Sequence, residues 1–121
     1  MSNEETSKIY TKQVESHGGS GKIKPDDVNY DHAGNPRKYE PLKIIDHRDA
    51  RNGKIDKRSY YDESGNLYLE LHSTNHGNAK KHPFGNNGEH AHDIEWQDGL
   101  PKHKKGRELT ETERKDNGDI L

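Results

Sequence analysis

Between Leu42 and Trp96 the apolar residues of this chain fall into short runs that alternate with polar ones, with turn-forming residues between the runs. A period of two is the signature of strands, because successive side chains of an extended chain point to opposite faces. "LKIIDHR" predicts a first strand from Leu42 to about Arg48, "ARNG" a turn, and "KIDKRSYYD" a second strand. "DESGN" predicts a tight connection in which Gly65 takes a positive φ. "NLYLELHS" is the third strand, with Leu67, Leu69 and Leu71 expected on one face and Tyr68, Glu70 and His72 on the other. "EHAHDIEW", closed by "QDG", is the fourth, and its alternation groups His90, His92, Ile94 and Trp96 against Glu89, Ala91, Asp93 and Glu95. Further on, "LTETERKDNG" carries a helix-start signature: Thr110 can cap the backbone while Glu113 reaches back, and Gly118 ends the turn. The expected fold is therefore mainly β (α+β), a small antiparallel sheet of about four strands with a short C-terminal helix.

Apolar content limits how much of the chain can join that sheet. Of 121 residues only 24% are hydrophobic and 35% are charged, and the mean hydropathy is -1.50. Segments this poor in apolar groups cannot offset the entropy of ordering them. Residues 1–40 have isolated apolar positions at Ile9, Val14, Ile23 and Val28 with no sustained period. A disordered N-terminal region is expected there, followed by a β-rich domain over 41–121 that includes the helix. Within the first region, "HGGSGKIK" fails as a phosphate-binding loop. Ser16 stands where that motif needs a glycine, and Ile23 where it needs Ser or Thr.

The formal charge of -2 indicates no general nucleic-acid-binding surface and leaves a local basic patch open. The absence of cysteine excludes disulfides and thiolate metal sites. No secretory leader and no membrane-length apolar window occur, so a soluble, cytoplasmic protein without a membrane partner, or one released by a route needing no signal peptide, is expected.

Four of the nine histidines, His76, His82, His90 and His92, lie in "NHGNAKKHPFGNNGEHAHDIEW". An H-x-H pair on a strand projects both rings to the same side, which is a chelating arrangement, and imidazole is the commonest metal ligand. A third ligand from the preceding loop, His82 or His76, would complete the open three-ligand shell of a catalytic zinc or another divalent metal. The expected metal set is His82, His90 and His92, with His76 as the catalytic base and Lys81 as the cation holding a phosphate. A pair of histidines can also cleave RNA through its 2′-hydroxyl without metal. The competing reading is structural, with His90 and His92 hydrogen-bonded at the edge of the core. Elsewhere, His72 is expected to be an exposed sheet residue, and His17, His32 and His103 to be solvated. Arg48, Arg51, Arg58, Lys54 and Lys57 read as solvent-facing charges of the first hairpin. Of Tyr60 and Tyr61 one is expected in the core and one exposed, and Trp96 is expected to anchor the core.

The stretch "RSYYDESGNLYLELHSTNHGNAKKHPFGNNGEHAHDIEW", Arg58 to Trp96, resembles small domains attached to phage minor head proteins and bacterial polymorphic toxins. Those domains join a "YD-x-x-G" hairpin to a His-Gly-Asn loop and a closing H-x-H strand. The resemblance implies a toxin-like effector, most often a nuclease, or an accessory protein of a phage or mobile element. It implies nucleic acid, or a protein of a phage or toxin system, as partner, and it assigns no catalytic residues. Two functional readings follow. One is a phage- or mobile-element-associated domain with a histidine site, acting as a metal-dependent, nuclease-like hydrolase. The other is a non-enzymatic binding or structural module whose histidines hold the loop to the sheet.

Overall fold

The structure, a computed structural model, describes residues 25–27, 34–74, 84–85 and 87–121. Its elements are β1 (Asp26–Asp27), β2 (Ile44–Arg48), β3 (Ile55–Tyr61), β4 (Leu67–His72), β5 (His90–Gln97), β6 (Leu100–His103) and α1 (Glu111–Asp116). The strands form one sheet in sequence order. Strands β2 to β6 are antiparallel to their neighbours, and β1 adds a two-residue parallel pairing to β2. The fold is thus mainly β with a short C-terminal helix, as the alternation predicted. One antiparallel strand more is present than expected. Asp98 and Gly99 take positive φ (53° and 76°) and turn the chain into β6, whose exposed residues gave no apolar signal. Of the region expected to be disordered, residues 1–24 and 28–33 lie outside the described residues, while 34–40 lie against the sheet.

Register explains which residues share a face, because residues directly opposite on antiparallel strands project to the same side. One transverse row is His47–Lys57–His72–His90, and the next is Ile45–Ser59–Glu70–His92. The other face carries the rows Asp46–Arg58–Leu71–Ala91 and Ile44–Tyr60–Leu69–Asp93. A register shift between Tyr60 and Tyr61 pairs Tyr61 with Leu67 and leaves Tyr68 as the extra residue. That shift corrects the simple alternation on β4. Leu67 joins Ile45, Tyr61 and Ile94 on the histidine face, and Tyr68 joins Leu69 and Leu71 on the other. It also buries Tyr60 and Tyr61 alike, each in a different cluster, where one had been expected to be exposed.

Both faces are covered, which is why a chain so poor in apolar residues still has a core. Tyr39 and Trp96 pack on the Ile45–Tyr61–Leu67–Ile94 cluster. Tyr61 donates to the Pro36 carbonyl at 2.5 Å, and Trp96 Nε1 donates to the Leu67 carbonyl at 2.8 Å. Each fully buried large side chain contributes roughly 1.5–3 kcal/mol. Gly65 (φ 79°) is needed at its turn, because a Cβ there would run into the carbonyl oxygen of Tyr39.

The C-terminal helix docks on the opposite face through polar groups. Its capping box forms as the sequence predicts: Glu113 N donates to Thr110 Oγ1 at 3.1 Å, and Thr110 N donates to Glu113 Oε1 at 2.8 Å. Asn117, rather than Gly118, is the C-cap. Arg58, expected to face solvent, is fully buried. It makes paired bonds to Asp46 (2.7 and 2.9 Å) and to Asp119 (2.9 and 2.8 Å), and a further bond to Asn117 (2.9 Å). Desolvation alone would lower its pKa, but the bonds to Asp46 and Asp119 outweigh that and raise it, so the cation persists. Arg107 bridges Asp93 of β5 to Glu113 of α1 in the same fashion.

Candidate metal centre

The end of β4 meets the start of β5, and the pairing of His72 with His90 follows from that hairpin-like register. His92 sits one row further along, beside Glu70. The three imidazoles therefore converge on one face. Their ring centres are 4.8 Å (His72–His90), 5.1 Å (His72–His92) and 4.9 Å (His90–His92) apart. One nitrogen from each lies within 4.8 Å of the others. His72 and His90 are buried and His92 is partly buried. Among the described residues, these three histidines are placed so that they could hold a metal ion.

Each ring has its tautomer set by an acceptor. His90 Nδ1 is 2.8 Å from the Gly88 carbonyl, and His92 Nδ1 is 2.7 Å from the Lys104 carbonyl. A carbonyl oxygen cannot donate, so both Nδ1 atoms carry hydrogen, and the lone pair of the neutral ring falls on Nε2. His72 has the other arrangement, with Nε2 2.7 Å from Glu70 Oε1.

Burial would raise the pKa of Glu70, but the hydrogen bond and charge of His72 overcome it, helped by Lys57 and His103, and hold it at about 2. Burial pushes His72 below its ordinary 6.5 despite the neighbouring carboxylate. At neutral pH the pair is then a carboxylate accepting from a neutral imidazole, and His72 Nδ1 carries the lone pair. An imidazole held from behind by a carboxylate or carbonyl is the usual state of a metal-bound histidine. Glu70 is itself anchored, because Ser59 Oγ donates to Glu70 Oε2 at 3.4 Å and Asn35 Nδ2 donates to Ser59 Oγ at 2.8 Å.

The dimensions suit a tetrahedral ion. Imidazoles radiating from one zinc at about 2.0–2.1 Å hold their ring centres about 5 Å apart, with ligand nitrogens about 3.3 Å from each other. The ring centres already have that spacing, and the nitrogens, within 4.8 Å of one another, would have to close in on an ion. Gly106 lies against the rings, where a Cβ would stand 3.3–3.4 Å from Phe84, His90 and His92.

Of the sequence-predicted residues, His90 and His92 stand together in this cluster. His82, expected as the third ligand, and His76 and Lys81, expected as base and phosphate holder, lie outside the described residues. His72 is the correction. Its position opposite Leu69 and Leu71 read as solvent, but that face is itself covered, and the residue is buried beside His90 and His92. Lys57 and Ser59, on the same face in adjacent rows, were also not expected near the site. No described helix is long and apolar enough to cross a membrane. Comparison of the chain with family models, with curated proteins and with solved structures finds no match.

Proposed function

We propose that this protein is a metal-binding domain in which His72, His90 and His92 hold one divalent transition ion, zinc being the best fit. The observation that carries this reading is that one nitrogen of each of the three rings lies within 4.8 Å of the others, while one nitrogen of each is held by an acceptor. Neutral nitrogen ligands without thiolates suit zinc and its neighbours among the transition ions better than calcium or magnesium. Three neutral ligands leave the ion's charge uncompensated and one position for exchange.

We further propose that the bound ion serves phosphodiester hydrolysis, in a nuclease-like protein of a phage, mobile element or toxin system. An ion with three neutral imidazole ligands would supply an activated water. Lys57 lies beside His72 in the same transverse row on the histidine face. This cation favours a phosphate-bearing substrate. His76 as base and Lys81 as phosphate holder complete the proposal from the sequence. One equivalent of zinc should bind the metal-free chain, and cleavage of single- or double-stranded nucleic acid should stop with chelator and return with zinc. Tight zinc binding without cleavage would leave the metal site and remove the hydrolase.

A second reading, a structural module, is supported by the bonds from His90 to Gly88 and from His92 to Lys104. These tie the segments flanking β5 to the sheet without any ion. Under it, His92→Ala unfolds or loosens the domain and zinc leaves its stability unchanged.

A further inference from the structure

Three ligands do not fill a tetrahedral shell, and the rows of the sheet point to the residue placed to supply the fourth. His103, at the end of β6, pairs with Ile94 on β5. His92 is two residues from Ile94 along β5, so His92 and His103 are diagonal neighbours across the β5–β6 pair, within reach for long side chains. Their ring centres are 6.3 Å apart, against the spacing of about 5 Å expected for two imidazoles on one zinc. His103 Nε2 also lies 3.9 Å from Glu70 Oε1, the oxygen that holds His72. That separation is too long for a hydrogen bond but within ion-pair reach when His103 is protonated. With 44% of its side chain exposed, the ring has room to turn.

We propose that His103 is the fourth, exchangeable ligand of the metal held by His72, His90 and His92. This rests on the three-histidine reading above and adds the resting state of that site. With the ion bound, the His103 side chain would turn inward to close the shell, its nitrogens standing outside the 4.8 Å group that His72, His90 and His92 form in the metal-free fold. Because, among the described residues, β6 pairs as a strand with β5 alone, coordination by His103 also staples this edge ribbon across to β4. The water that the hydrolase reading needs then enters only when His103 leaves, so the ligand for which the site opens is one whose anionic oxygen competes with that imidazole for the ion. A phosphodiester has this chemistry.

The test uses cobalt(II) as a spectroscopic stand-in for zinc, added at one equivalent to the full-length chain and to His103→Ala. This exposed residue can be replaced without opening the core. The wild-type protein should give the intense visible bands of a four-coordinate cobalt centre. His103→Ala should still bind but more weakly, by more than the roughly 10–100-fold typical of losing an outer partner of a ligand. Its bands should drop in intensity as water enters. In zinc-loaded wild-type protein the His103 ring nitrogens should move in slow exchange with those of the triad, and the amides of residues 100–103 should exchange more slowly with solvent. If His103→Ala binds cobalt with unchanged affinity and an unchanged spectrum, His103 is not a ligand, while the three-histidine site stands. If the wild-type chain binds no cobalt and no zinc, both proposals fall.

Discussion

Glu70 Oε1 and His72 Nε2 lie 2.7 Å apart, two residues along the same strand and on the same face of the sheet. That bond decides which nitrogen of His72 is presented to an ion. It also turns a buried carboxylate, costly on its own, into the anchor of the site. Glu70→Gln keeps the size of the side chain and removes its charge. Zinc affinity, measured by competition with a chromogenic chelator, should fall about 10–100-fold while the far-ultraviolet circular dichroism stays unchanged.

The glycine packed against the rings is a second test of the same geometry. In Gly106→Ala the new methyl would press on Phe84, His90 and His92 at 3.3–3.4 Å. Overpacking of this kind costs about 1–3 kcal/mol. The variant should melt earlier than wild type and bind zinc less tightly, because two of the three rings it displaces are ligands.

On the other face, Arg58 and Asp46 form a buried ion pair with two bonds. Removing one partner leaves the other charge buried and uncompensated, which costs about 3–5 kcal/mol. Arg58→Ala should lose that much stability in denaturant unfolding. It should also release residues 117–119, which hydrogen exchange would register as lost protection. Asp119→Asn should cost far less, since 61% of the Asp119 side chain is exposed and solvent screens its share of the bond.

Asp119 also gives a pH dependence with a definite sign. Its hydrogen bond from Arg58 holds its pKa below the ordinary 3.8 in the folded protein, against the opposing effect of partial burial. A group with a depressed folded-state pKa stabilises the fold above its unfolded value and loses that contribution as the pH falls through the folded one. The melting-temperature gap between wild type and Asp119→Asn should therefore be full above about pH 4 and close as the pH drops below it. A gap that widened on acidification would contradict the assignment.

Much of the fold was legible because alternation survives wherever a strand has an apolar face. The four principal strands, the Gly65 turn and the Thr110–Glu113 box were all readable for this reason. What escaped was whatever depends on a register between strands. β6 is a strand by virtue of the Asp98–Gly99 turn and its pairing with β5, and its own side chains are exposed. Leu67 and Tyr68 changed faces because the pairing with β3 slips by one residue there. Arg58 was hidden from the reading because a charge in a strand pattern signals solvent, and only its partners at Asp46, Asn117 and Asp119 reveal otherwise.

The candidate site was half legible. The H-x-H spacing on β5 marked His90 and His92. His72 was discounted on the premise that the face opposite the leucines meets water, which fails in a sheet covered on both sides. One signal was present in the sequence: β4 ends in E-x-H and β5 begins with H-x-H, so an antiparallel pairing of that end with that start sets three imidazoles and a carboxylate side by side. Carrying the alternation across the connection, rather than along each strand alone, would have found them.

The most direct test of the central claim is a nitrogen-15 correlation spectrum of the imidazoles, recorded on metal-free protein and again with one equivalent of zinc. The account predicts that the free protein shows His72 as the Nε2–H tautomer and His90 and His92 as Nδ1–H tautomers at neutral pH. Zinc should then shift the three rings together, in slow exchange, at His72 Nδ1 and at Nε2 of His90 and His92. Rings that stay where they were, or zinc shifts confined to other histidines, would contradict a metal centre built on His72, His90 and His92.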